Sequence, residues 1–74
     1  MVIEISKVFL HNKNIEEKVE MYIDEPCSID RLTEIIGLDH MGYAVFFVNG
    51  KEVKKNHIVG NEDKLKILPM FGGG

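Results

Sequence analysis

Only one stretch of this 74-residue chain repeats with a helical period, and that limits its architecture more than anything else does. Ile29, Leu32, Ile35 and Ile36 recur at i, i+3, i+6 and i+7 and stripe one face of a helix of about nine residues. A helix this short does not persist in water unless its stripe is packed on something else. Its limits are marked: Pro26 breaks the preceding strand, Ser28 can cap the first turn, and Asp30 suits the positive end of the helix dipole. Gly37 is placed to close the helix in a left-handed turn, after which Leu38 folds back.

The rest reads as strands. Val2 to Leu10 is rich in β-branched and aromatic residues, with Ile3 and Ile5 on one face. Val8 and Leu10 take the opposite parity, so a bulge or an end to regular pairing is predicted near Lys7. The polar run His11 to Asn14 reads as a hairpin turn. Lys18 to Asp24 then alternates, with Val19, Met21 and Ile23 inward. After the helix, Tyr43 to Val48 is a β run that ends in Asn49-Gly50, the strongest short hairpin signal, with Lys51 to Val53 as the return strand. Lys54 to Asp63 is predicted to be mainly loop anchored by Ile58 and Val59, and Leu65 to Met70 is the final strand. A sheet with one covering helix is a two-layer α+β domain, and the compact solution sets the first and last strands side by side and parallel.

The length allows one small domain, expected over residues 1–71, with 72–74 as a flexible glycine tail read as a chain end. The run Val2 to Ile5 lacks the pattern of a leader peptide, and no apolar run approaches the roughly 20 residues of a transmembrane helix. A cytoplasmic protein without membrane contact is expected. Cys27 is the only cysteine, and His11, His40 and His57 lack ligand spacing, so neither a disulfide nor a metal site is predicted. Charge is two-sided: eight acids lie between Glu16 and Asp39 against Lys18 and Arg31, whereas Lys51 to Lys66 holds five lysines against three acids. Without an arginine cluster or interleaved aromatic and basic residues, nucleic-acid binding is not expected. Cys27 reads as a small loop residue beside the cap, and not as a sulfur site.

Four segments then carry a resemblance: Phe46-Phe47-Val48-Asn49-Gly50, Asn61-Glu62-Asp63-Lys64-Leu65, Ile67-Leu68-Pro69-Met70-Phe71, and the terminal Gly73-Gly74. Together they resemble the sulfur carriers of the ubiquitin-like β-grasp fold, namely the thiamine sulfur-carrier protein and the small subunit of molybdopterin synthase. The resemblance spans nearly the whole chain and implies a mixed sheet of four to five strands packed on one helix. Pro69 keeps the family's five-residue spacing to the last glycine. Two positions depart: Asn61-Glu62-Asp63 stands where Asp-Gly-Asp is usual, so Gly60 is expected to supply the turn's flexibility one step early, and Gly72 is an uncommon residue before the diglycine.

By comparison with ubiquitin, Phe46 and Val48 should face the helix and Phe47 should face out; Leu65 and Ile67 point inward by the same parity, with Leu68 and Met70 outward. Phe47, Leu68, Met70 and Phe71 are then the expected partner-binding patch. The resemblance further implies that the Gly74 carboxylate, next to Gly73, is the reactive group. No bound cofactor is implied; a ubiquitin-activating-type adenylyltransferase would use ATP and magnesium to activate Gly74. A sulfurtransferase or cysteine desulfurase would supply sulfur, and thiazole synthase or the large subunit of molybdopterin synthase would accept it. The chain would be a carrier and not an enzyme. Two alternatives stay open: a protein modifier joined through Gly74 to lysines, and a noncovalent β-grasp interaction module.

Overall fold

In the computed structural model, residues 1–10, 15–38 and 43–70 are described; the predicted turn at His11 to Asn14, residues 39–42 and the tail from Phe71 onward lie outside them. The predicted boundary between domain and tail at residue 71 therefore lies outside the described residues too.

The helix, α1, spans Ile29–Ile36. Ser28 caps it as predicted, its Oγ accepting the Arg31 N–H at 3.1 Å. Gly37 closes it at φ 95°, its N–H donating to the carbonyls of Thr33 and Glu34, and Leu38 folds back with its N–H on the Thr33 carbonyl at 2.8 Å. Leu38 is consequently buried. One member of the predicted stripe is corrected: Ile35 is 53% exposed, and Thr33 is buried instead. At 3.6 residues per turn, Ile35 lies roughly 95° round from the centre of the arc formed by Ile29, Leu32 and Ile36, whereas Thr33 lies roughly 65° from it. Thr33 tolerates burial because its hydroxyl donates to the Asp30 carbonyl at 2.8 Å.

Among the described residues seven strands accompany the helix: β1 (Val2–Ile5), β2 (Lys18–Glu20), β3 (Cys27–Ser28), β4 (Ala44–Val48), β5 (Lys51–Val53), β6 (Ile58–Val59) and β7 (Lys64–Pro69). Five form one sheet in the order β2-β1-β7-β4-β5. The first and last strands lie together and parallel, as expected, with Ile3 opposite Leu65 and Ile5 opposite Ile67. β4 runs antiparallel to β7 and sets Phe46 opposite Ile67 and Val48 opposite Leu65. These six side chains form the helix-facing floor, each no more than 8% exposed. The β4 to β5 turn has Asn49 at φ 52° and Gly50 at φ 88°, the paired positive angles that an Asn-Gly hairpin requires.

The predicted end to regular pairing near Lys7 is found: β1 stops at Ile5, and Lys7–Phe9 forms a 3-10 turn that buries Phe9 while leaving Val8 exposed. Two features differ from the prediction. β2 ends at Glu20, yet Met21 and Ile23 keep their inward parity: Met21 N–H donates to the Met1 carbonyl at 3.0 Å. Beyond it the Asn61 side chain stands in for a strand neighbour, accepting the Ile23 N–H at 2.8 Å and donating to the Ile23 carbonyl at 2.7 Å. Cys27 and Ser28 lie in a strand, not a loop, antiparallel to Ile58 and Val59. This small second sheet joins the start of the helix to the segment before β7.

Candidate functional site

β4 and β7 lie near the centre of the sheet, and only one of their faces is covered by the helix. On the other face Val45 stands opposite Leu68, and Phe47 lies between Lys66 of β7 and Glu52 of β5. Phe47 is half-buried and points outward as expected, while Leu68 and Met70 are 36% and 58% exposed. Phe47 and Leu68 wall an open concavity of about 440 Å³ with Asn49, Gly50, Lys64 and Lys66. Met70 stands apart from this lining, just beyond the end of β7, where its N–H donates to the Tyr43 carbonyl at 2.6 Å. The structure thus brings two of the predicted patch residues together and sets Met70 beside exposed Tyr43. Phe71, Gly73 and Gly74 lie outside the described residues.

Lys64 and Lys66 are the residues the sequence reading missed. Alternation along β7 carries the signal, since every second residue shares the face of Leu68. Both lysines reach across to one carboxylate: Lys64 Nζ is 3.3 Å and Lys66 Nζ 3.7 Å from Glu4 on the neighbouring β1. The Lys64 ammonium, by hydrogen bond and by charge, holds the Glu4 carboxyl below its ordinary value, and Lys66 and Lys18 act in the same direction. These are exposed pairs, so they orient the lysine stems along the groove more than they stabilise the fold.

The far end of the groove is fixed by a turn that ties β4 to β7. Asn49 N–H donates to the Lys64 carbonyl at 3.0 Å, and the Asn49 Oδ1 accepts the Lys64 N–H at 3.0 Å. The Asp63 carboxylate accepts the Gly60 N–H at 2.8 Å and Asn49 Nδ2–H at 2.9 Å. The Gly60 N–H first, then Asn49, holds the Asp63 carboxyl below its ordinary value, with a smaller contribution from His57. Gly60 therefore does not act as expected. The positive-φ glycines of the described residues are Gly37 and Gly50, and Gly60 contributes an N–H to Asp63 in place of a left-handed turn.

The sequence model of one family, described as Mut7-C ubiquitin, matches residues 3–73. The chain belongs to the Mut7-C ubiquitin family. The match and the five-stranded sheet under a single helix identify the fold as a ubiquitin-like β-grasp, as the sequence resemblance implied. None of the curated proteins matches the sequence.

In this Mut7-C ubiquitin chain the groove offers an apolar floor, two cations on one wall and backbone groups at Asn49 and Gly50. Such a surface is suited to binding. Among the described residues no group of three His, Cys, Asp or Glu side chains is arranged to hold a metal ion, and no helix is long and apolar enough to cross a membrane.

Proposed function

We propose that this chain is a sulfur carrier whose Gly74 carboxylate is the working group. An adenylyltransferase partner docks on Phe47, Leu68 and the Lys64 and Lys66 rim, with Met70 and Phe71 leading the tail into its active site. That partner binds ATP and magnesium; the carrier supplies only the acyl group. A terminal carboxylate has a pKa of roughly 3.5 and at neutral pH is an anion that repels nucleophiles, so activation must come first. The carboxylate attacks the α-phosphorus of ATP and expels pyrophosphate, which leaves an acyl adenylate. The terminal sulfur of a persulfide, held by a sulfurtransferase or cysteine desulfurase, then displaces AMP. A thiol cleaves the resulting acyl disulfide and frees the thiocarboxylate, which donates sulfur to thiazole synthase, to the large subunit of molybdopterin synthase or in tRNA thiolation. Gly73 carries no side chain and can thread a narrow channel in backbone conformations that a Cβ forbids.

One observation carries this reading most: the family match does not stop at the last strand but runs to residue 73, through the tail itself. The reading requires Gly74 to be the mature carboxyl end, and intact mass spectrometry of the protein from its own cell tests both points together. A gain of about 16 Da, the mass of sulfur less that of oxygen, is expected on a chain ending at Gly74. Adducts joining Gly74 to lysine would make it a protein modifier, and unchanged function with residues appended after Gly74 would make it a noncovalent module.

A further inference from the structure

Main-chain direction alternates along β7. Residues 64 and 70 turn their groups toward β4, since the Lys64 carbonyl accepts from Asn49 and the Met70 N–H donates to Tyr43. Residues 65, 67 and 69 therefore turn theirs toward β1. The Ser6 N–H donates to the Ile67 carbonyl at 3.0 Å, and residue pairing between β1 and β7 ends with Ile5 and Ile67. In a continuing parallel ladder, the next bond would run from the N–H of residue 69 to the Ser6 carbonyl. Pro69 has no N–H to donate. The Ser6 carbonyl instead accepts the Phe9 N–H at 3.1 Å, which closes the 3-10 turn and seats Phe9 in the core at 6% exposure.

We propose that Pro69 is a positioning residue for the tail: by withholding an N–H it stops β1 and β7 from pairing further, so that the last main-chain bond of this stretch among the described residues is the one from Met70 to Tyr43. On the carrier reading, in which Gly74 is the working end, the segment beyond Met70 has a reach of at most about 14 Å when extended. An N–H at position 69 permits the competing arrangement. Ser6 accepts it, the 3-10 turn opens, and the Val8 N–H meets the residue-69 carbonyl. Val8-Phe9-Leu10 has the composition of a strand, so once straightened it can draw the following residues alongside it. Each two residues so captured shorten the reach by roughly 7 Å. What that reach is for rests on the carrier reading; the choice of partner at Ser6 does not.

Native-state hydrogen exchange read by NMR tests this on three full-length chains: the natural one, Pro69→Ala, and a chemically synthesised chain with N-methylalanine at 69, which lacks both the ring and the N–H. In Pro69→Ala the Phe9 amide should exchange roughly tenfold faster while the new amide at 69 becomes protected, the change expected when one hydrogen bond is exchanged for another. The N-methylalanine chain should keep natural protection at Phe9. Unchanged Phe9 exchange in Pro69→Ala overturns the proposal. So does faster exchange in the N-methylalanine chain, which would assign the effect to packing of the ring, and that chain decides alone should Pro69→Ala not fold. Loading of Gly74 with AMP by the cognate enzyme, measured on the same chains, should slow roughly tenfold only in Pro69→Ala. Failure of the natural chain to load breaks the carrier reading and leaves the exchange result standing.

Discussion

The two faces of β4 and β7 are built from similar apolar residues and have opposite fates. On one, Phe46 and Ile67 meet under the helix at 8% and 0% exposure. On the other, Val45 meets Leu68, and Phe47 lies one residue from Phe46 with no helix above it. Apolar content therefore does not decide which face is core in this domain. The single helix decides it, because one amphipathic stripe covers one sheet face, and strand alternation assigns every neighbour to one side or the other. The uncovered face keeps its apolar floor and rims it with lysines, a composition suited to intermittent contact with a partner.

That contrast can be broken most severely from the covered side. Phe46→Ala should cost roughly 3 to 5 kcal/mol by chemical denaturation, since it removes most of a buried ring beneath the helix and leaves a cavity. A loss no larger than that of an outer-face substitution would mean that the helix does not define the core.

Next in size is the turn that fixes the end of both faces. Asp63→Ala removes the acceptor of the Gly60 and Asn49 N–H groups and should cost about 1 to 2 kcal/mol. The same carboxylate predicts an acid limb. Its folded pKa lies below the ordinary 3.8, so the unfolded chain binds its proton first as pH falls. The contribution is therefore complete above 3.8 and is lost as pH falls from there through the folded value. Urea titrations down through that range should show a shallower acid loss in Asp63→Ala than in the natural chain.

Much of this arrangement was readable in the sequence, on different grounds. The parallel meeting of the first and last strands follows from the compact two-layer solution, and the caps from the residue types at Ser28 and Gly37. Alternation sets Phe46 and Phe47 on opposite faces, and the resemblance to ubiquitin chose Phe47 as the outward one. What escaped was set by contacts too short or too distant in sequence to leave a period. Phe9 is core only because a 3-10 turn rotates it out of strand parity, and that turn depends on what a residue 60 positions away cannot donate. The pairing of Cys27 and Ser28 with Ile58 and Val59 involves two residues a side, below the length at which alternation can be recognised. Thr33 displaced Ile35 because the sheet, not hydrophobicity alone, selects the buried arc. Lys64 and Lys66 enter the sequence argument only through the charge balance of Lys51 to Lys66; their role as a groove wall needed the register that sets them beside Phe47 and Leu68.

On the uncovered side the expected stability effects shrink while the binding effects grow. Phe47→Asp should change stability by about 1 kcal/mol or less, because the ring is only half-buried, yet it should weaken capture by an activating partner by more than tenfold. A large fall in melting temperature would place Phe47 with Phe46 and erase the distinction between the faces.

The smallest perturbation is the most specific. Glu4→Gln should leave the melting temperature where it is, since Glu4 meets its lysines in solvent. It does, however, remove the carboxylate that engages Lys64 and Lys66 across the strand, and both ammonium groups are then free to turn into the groove. If the rim recognises acidic groups on a partner, the variant should bind that partner faster at low salt, and the advantage should fade as salt rises. A variant that binds no faster at low salt would show that the lysines contribute their stems and not their charge, and that the outer face differs from the inner one only in lacking a helix.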